Sequence, residues 1–358
     1  TPGKCQNTYP AKLASLLYER FKAFNGAADK GLVLIPCELI DKNGTNLKKC
    51  ILNYAKDWNL PAEFTAWINE SNLFVNTLVD RIVAGYPRAE AAKIEAELGY
   101  NDNLIDCGEI FHFFVIEGPQ SLSKELPLID AGLQVVITDN QTPYRTRKVR
   151  FLNGAHPADV LAASLGGLTF VDEMMNDPDF GRMVCKAIND EIFHTVQLPE
   201  EEKRFFADSV IERFKNPFAQ HRLLSISLNS VSKWKVRVMP SLLDYVQMKG
   251  RLPEVLAFSL AALIRFYMLE LKDGTAEGSV DGRTYPVADS EDVLRFFADA
   301  TAQFKADGNT AKLVASVLGN KEFWGMDLNT VPGLAEFATA KLELINKDGI
   351  RSAVKTIL

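Results

Sequence analysis

The chain has 358 residues, 47% of them hydrophobic and 24% charged, which is the composition of a globular protein with length for one large domain or two. A net charge of −6 speaks against a general nucleic-acid binder, which carries a broad basic surface. The five cysteines are odd in number and form no CxxC pair, which speaks against a disulfide framework or a zinc site and for a reducing, cytoplasmic compartment.

The first segment, "TPGKCQNTYP", has the composition of a loop and does not begin with Met. "PAKLASLLYERFKAFNG" then places apolar residues at helical spacing and ends in Asn25-Gly26, a helix stop. "GLVLIPCELI" is a short apolar run after a glycine and predicts a buried parallel strand. "GTNLKKCILNYAKDW" predicts a helix, so the order is strand, turn, helix. "FHFFVIEG" and "LQVVITDN" are rich in β-branched and aromatic residues and predict two more strands.

After about Thr142 the strand signal fades. Helical spacing runs through "PADVLAASLGGLTFVDEMM", "EEEKRFFADSVIERFK", "LPEVLAFSLAALIRFYMLEL", "SEDVLRFFADATAQF" and "GLAEFATAKLELINK". The most apolar of these carries Glu254, Arg265 and Glu270, and reads as a buried helix with Pro253 near its first turn, not as a membrane span. "KDGTAEGSVDGRTYPVADS" reads as a loop. The expected organisation is an α/β part over residues 1–142 and an all-helical domain over residues 143–358.

One stretch combines charge with chemistry. "RTRKVRFLNGAHPADV" holds Arg145, Arg147, Lys148 and Arg150 with no acid among them, then Asn153 and His156. On a helix at about 100° per residue, Asn153 lies about 140° round from Lys148 and His156 about 80° round, so all three fit one broad face. Pro157 cannot donate to the carbonyl of Asn153, so the helix either kinks here or breaks at Asn153-Gly154 and restarts. A free lysine, with a pKa of about 10.4, is a poor base at neutral pH. Neighbouring cations and partial burial lower that value. Such a lysine can take a proton from an alcohol or return it to a ketone, while Asn and His donate to the oxygen that gains charge. The plainer reading is a solvated basic helix start followed by a structural histidine.

These residues resemble the polyol-specific long-chain dehydrogenases/reductases, the mannitol dehydrogenase family, whose hallmark is Lys, four residues, Asn, two residues, His. Here that is Lys148, Asn153 and His156 in "KVRFLNGAH". "IPCELIDKNG", "NLFVNTLVDRIVAGYP", "ERFKNPFAQHRLLSISLNSVSKWKVRVMPSLLDY" and "LAFSLAALIRFY" are similar to segments of its tagaturonate reductase (altronate oxidoreductase) branch. The resemblance implies an NAD-dependent oxidoreductase with a Rossmann-like cofactor domain and a helical substrate domain, acting in hexuronate catabolism on an anionic sugar acid. It implies that Lys148 is the general acid/base, that Asn153 stabilises the developing alkoxide and that His156 orients a substrate hydroxyl. Lys233 falls at a substrate-binding lysine. Ser225 stands where the family has an arginine, and Arg222 is close enough in sequence to substitute. A second family asparagine falls at Leu39. Asp80, in "VDRI", and Cys37 lie near the expected cofactor, although Asp80 can also pair locally with Arg81. Cys37 on its own reads as a buried small hydrophobe. Arg145 joins Arg222 and Lys233 as a candidate carboxylate partner.

No GxGxxG turn follows a strand anywhere in the chain. The expectation is a chain that begins inside its cofactor domain and, as given, grips NAD poorly. Two alternatives remain: another polyol or hexuronate dehydrogenase of mannitol or fructuronate type, and a non-catalytic helical module. His112, His156, His194 and His221 are scattered without metal-ligand spacing, so no metal is expected. No nucleic-acid or membrane partner is expected, and the oligomeric state is open.

Overall fold

The computed structural model describes residues 3–272 and 274–358. By its contacts the chain forms two compact units, Thr1–Val83 with Cys107–Arg145 and Ala84–Asp106 with Thr146–Leu358.

The first unit opens with α1 (Tyr9–Ala23). Pro10 stands in its first turn, where a missing N–H costs nothing. Ala11, Ala14 and Leu17 recur at helical spacing and are buried. The helix stops where Asn25 and Gly26 both take positive φ. β1 (Val33–Leu34) follows, then α2 (Asn43–Asp57), α3 (Ala62–Glu70), β2 (Leu73–Phe74) and β3 (Asn76–Asp80). Leu17, Ile51, Phe64, Trp67 and Ile68 join Leu34 in one core. The expected strand at 31–40 is parallel, to β2, but only two residues long. Pro36 has no N–H with which to extend the ladder. Gly31 is required there, because a Cβ would lie 1.4 Å from the Ser71 carbonyl oxygen.

The chain leaves through β4 (Val83–Gly85) and α4 (Ala91–Leu98) and returns with β5 (Cys107–Gly108), β6 (Phe113–Glu117), α5 (Leu122–Glu125) and β7 (Val135–Thr138). β6 is the middle strand of a sheet of order β3-β6-β7, antiparallel to β3 and parallel to β7. Val75, Ile116, Leu122 and Ile137 form its buried face. Both strands expected from "FHFFVIEG" and "LQVVITDN" are present.

α6 (Thr142–Leu165) carries the Lys-Asn-His set. Asn140 accepts the Thr142 N–H (3.0 Å) and Pro143 fills the first turn. The helix neither breaks nor restarts at Pro157 but runs on to Leu165. It is held by burial, since every residue from Gly154 to Ala163 is buried. "PADVLAASLGGLTFVDEMM" therefore contributes the end of α6 and a separate helix, α7 (Val171–Asn176), with Gly167 turning at a φ of 91° between them.

α8 (Phe180–Lys186) continues into a π-helical turn at Ala187–Ile192 and α9 (Phe193–Thr195). α10 (Glu200–Phe214), α11 (Leu223–Ile226), α12 (Ser230–Arg237), α13 (Met239–Lys249) and α14 (Glu254–Phe266) follow. The apolar helix expected over 252–271 ends at Phe266. The residues after it, with the expected loop, build an antiparallel meander of β8 (Leu269–Lys272), β9 (Thr275–Val280) and β10 (Arg283–Pro286). In β9 the buried positions are Ala276, Gly278 and Val280, a period of two. Asp281 and Gly282 both take positive φ, as a two-residue hairpin turn requires. The helical domain thus carries a small sheet. α15 (Glu291–Asp307), α16 (Thr310–Leu318), α17 (Lys321–Trp324), α18 (Leu334–Asp348) and α19 (Ile350–Lys355) complete the unit, with α18 packed on the buried α14. No helix among the described residues is long and apolar enough to cross a membrane.

Candidate active site

On α6, Lys148 and Asn153 are half-buried and His156 is buried. The Asn153 amide makes no hydrogen bond among the described residues. Because Pro157 has no N–H, the Asn153 carbonyl also loses its helical donor. His156 lies against the Phe214 ring at 4.2 Å between centroids and an interplanar angle of 13°. The His221 ring meets it edge-on at 5.5 Å. Its Nε2 is buried without a hydrogen-bond partner among the described residues. Burial pushes the imidazolium well below its ordinary value, and His221, Arg237, Arg213 and Lys233 push the same way. His156 is therefore a neutral ring in a cationic neighbourhood.

The arginines beside Lys148 have structural partners that the local sequence does not contain. Arg145 pairs with Asp41 at 3.1 Å. Arg147 is buried with its guanidinium 4.3 Å above the centre of the Phe206 ring. Arg150 pairs with Asp244 at 2.6 Å and donates to the Thr195 carbonyl at 2.6 Å.

α12 supplies the facing cations. Lys233 and Arg237 are four residues apart and share a helix face. Gly154 lets the end of α12 close on α6, since a Cβ there would lie 2.9 Å from the Arg237 carbonyl oxygen. The start of α12 is pinned by Tyr267, whose hydroxyl accepts the Ser230 N–H (3.0 Å) and donates to Asp289 (2.6 Å). Lys233 donates to the Ile226 carbonyl at 2.8 Å. Burial and Arg237 lower its ammonium, against a raising effect of Asp289. Burial alone lowers Arg237, and burial with Lys233 lowers His221.

Arg222 is placed elsewhere. Its guanidinium lies 5.1 Å from the Phe170 ring centre and lines a cavity of about 230 Å³ with Ser164, Thr169 and Arg283, not with Lys148 or His156. Among the sequence candidates, the structure gathers His156 and Lys233, with Lys148 and Asn153 on the same helix as His156. His221, Arg213 and Arg237 are members the sequence reading did not select. Arg237 carried one local signal, its helical spacing from Lys233; Arg213 and His221 lie before "NSVSK" in other segments and carried none.

In the first unit, Asp80 is buried at the end of β3. Cys37 is exposed, not buried, because it sits in the turn after β1 rather than in the strand. Partial desolvation of the sulfur and nearby Glu38 raise its thiol, against a lowering by Thr77. Asn43 holds that turn: its amide donates to the Pro36 carbonyl (2.9 Å) and Thr77 Oγ1 (3.0 Å), and its Oδ1 accepts the Gly44 and Thr77 N–H groups. Leu39 is 92% exposed, so no polar group stands at the expected second asparagine. Arg81 donates to the Glu109 carbonyl at 2.8 Å. Cys37 follows the carboxyl end of β1, which pairs in parallel with β2, and this is the edge at which open α/β sheets take ligands. Gly31 and Gly44 serve close backbone approach, to Ser71 and Val75, rather than an open phosphate cradle. No group of three or more ligating side chains that could hold a metal occurs among the described residues.

Residues 4–130 match the family model of the mannitol dehydrogenase Rossmann domain, and residues 140–346 that of the mannitol dehydrogenase C-terminal domain. An altronate oxidoreductase of Yersinia pestis is 48% identical over 349 residues, covering 97% of this chain and 70% of that protein. One from Escherichia coli is 47% identical over 351 residues, covering 98% and 71%. Mannitol 2-dehydrogenase of Pseudomonas fluorescens, solved with NAD and D-mannitol, has a similar fold with a TM-score of 0.70 at 22% identity, over 98% of this chain and 66% of that one. A substrate-free D-sorbitol dehydrogenase gives a TM-score of 0.76 at 22% identity, over 99% and 68%.

Proposed function

The chain belongs to the mannitol dehydrogenase family of NAD-dependent oxidoreductases, and we propose that it interconverts a keto sugar acid and its alcohol, D-tagaturonate and D-altronate, with Lys148 as general acid/base. The observation that carries the substrate class is the set of cations around His156, on α12 and at the end of α10. Arg237, Arg213 and Lys233 all act on that ring, which suits a substrate bearing a carboxylate better than a neutral polyol. Relatives near 48% identity named altronate oxidoreductase support the same substrate.

NAD, when bound, supplies or accepts the hydride. The chain's own residues handle the proton and the charge. In the reducing direction the Lys148 ammonium gives a proton to the carbonyl oxygen, and in the oxidising direction the free amine takes it back. The Asn153 amide donates to that oxygen as its charge grows. His156, held neutral, donates one hydrogen bond from Nε2 to a substrate hydroxyl, and its apolar wall of Phe214 keeps the ring in place.

A panel of tagaturonate, fructuronate and fructose, followed by NADH oxidation, tests the reading. Tagaturonate is expected to have the highest kcat/KM. Faster turnover of fructose would replace it with a mannitol-type reading.

A further inference from the structure

We propose that Arg237 grips the substrate's carboxylate and so sets the preference for a sugar acid over the corresponding neutral polyol. The inference rests on the sugar-acid reading above and names the residue that enforces it.

Three observations single out Arg237. The first is its lack of a partner. The side chain is half-buried at the end of α12, and its guanidinium makes no ion pair or hydrogen bond among the described residues. A half-buried arginine cannot shed its proton to relieve the cost, so it calls for an anion. The second is position. The Gly154 contact fixes the Arg237 backbone against α6 one residue from Asn153, and the Arg237 charge reaches both His156 and Lys233. The third is elimination. Arg145 and Arg150 are paired with Asp41 and Asp244, Arg147 stacks on Phe206, Arg222 lines another cavity, and Arg213 is buried with an interaction of its own. Lys233 already gives one donor to the Ile226 carbonyl. A guanidinium offers the planar pair of N–H donors that a carboxylate accepts, which an ammonium does not. Asp289, the acid that acts on Lys233, is held by Tyr267 and does not act on Arg237.

The test is calorimetric titration of the full chain with altronate and with altritol, its neutral counterpart, in the presence of NADH so that no turnover occurs. The wild type is expected to bind altronate at least about tenfold more tightly than altritol. Arg237→Leu is expected to lose about 10- to 100-fold in altronate affinity and to leave altritol within about threefold. Arg237→Lys is expected to fall between, because it keeps the charge and loses the fork. Thermal melting checks that each variant folds, and Arg237→Gln replaces the leucine variant if that one does not. Equal weakening of both ligands, an unchanged altronate affinity, or no wild-type preference for altronate overturns the proposal. Turnover separates the two readings. A wild type that binds altronate through Arg237 but fails to reduce tagaturonate overturns the reaction and leaves the carboxylate grip standing.

Discussion

His156 and Asp159 lie three residues apart on α6, and each buries side-chain atoms that have no partner among the described residues. Their surroundings differ in sign. Arg237, Arg213 and Lys233 act on His156, whereas the charged group acting on Asp159 is another acid, Glu191. Burial is the largest cause in both cases, and it drives each group to its neutral form. The outcomes then diverge. Asp159 and Glu191 can neutralise themselves by keeping a proton. Glu191 is pushed up to about 7 by burial, against the Val255 and Leu256 N–H groups it accepts at 2.8 and 2.9 Å at the start of α14. His156 can neutralise itself by losing one. The arginines beside it cannot. A positive charge therefore persists beside His156 and none beside Asp159, although the two residues are neighbours on α6.

The largest effect expected on the cationic side is at Lys148. Lys148→Ala is expected to lower kcat by about 10²- to 10⁴-fold, the usual worth of a positioned acid/base. NADH affinity should stay within about threefold, because the side chain is assigned to the proton and not to the cofactor. Single-turnover kinetics with a separate NADH titration checks this. Retained turnover would remove the acid/base role and leave the cations around His156 as a binding surface only.

The acidic side gives the intermediate effect. Asp159 has its folded-state pKa raised well above 3.8, so between that value and the folded one the native protein holds a proton that the unfolded chain has lost. Its contribution to stability therefore falls as pH rises through that window. Glu191 acts in the same direction between about 4.5 and about 7. His156 has the opposite sign, since the unfolded chain takes up a proton below about 6.5 and the folded one does not. Asp159→Leu removes the buried carboxyl. It is expected to raise stability by about 1–4 kcal/mol at pH 8, with the gain shrinking toward pH 4. Thermal melts of both proteins across that range read the difference. A gain that does not grow with pH would show that Asp159 is ionised and partnered, and the contrast with His156 would be lost.

The sequence and the structure agree where the argument was local. The spacing of Lys148, Asn153 and His156 is a property of one helix, so it survives into the fold. The helix stop at Asn25-Gly26 and the strands at Phe113–Glu117 and Val135–Thr138 survive for the same reason. What was not legible depends on residues far apart in the chain. Asp41, Asp244 and Phe206 neutralise or cover the basic cluster, and nothing near Arg145 announces them. Pro157 does not break α6, which runs on to Leu165 with the residues around the proline buried. Arg237 looked like any basic residue after "SVSKWK" until Gly154 placed α12 against α6. The meander at Leu269–Pro286 is a different case. The alternation of Ala276, Gly278 and Val280 and the Asp281-Gly282 turn were present in the sequence, and the abundance of glycine hid them.

The smallest expected effect sharpens the same contrast from outside the set of cations around His156. Arg145 was a candidate for the substrate carboxylate. Its side chain and that of Asp41 are both about half exposed in their 3.1 Å pair, so water screens the attraction. Arg145→Ala is expected to cost about 0.2–1 kcal/mol of stability and to leave the ratio of altronate to altritol affinity unchanged. Chemical denaturation and the titration used for Arg237 read the two quantities separately. The cluster at 145–150 and Arg237 are equally basic in sequence, and partnership is what distinguishes them. An arginine with an acid beside it has its anion already, so only the arginine without one should respond to the substrate's charge. A fall in that ratio on removing Arg145 would mean that the Asp41 pair opens to admit substrate, and the division between occupied and waiting cations would have to be redrawn.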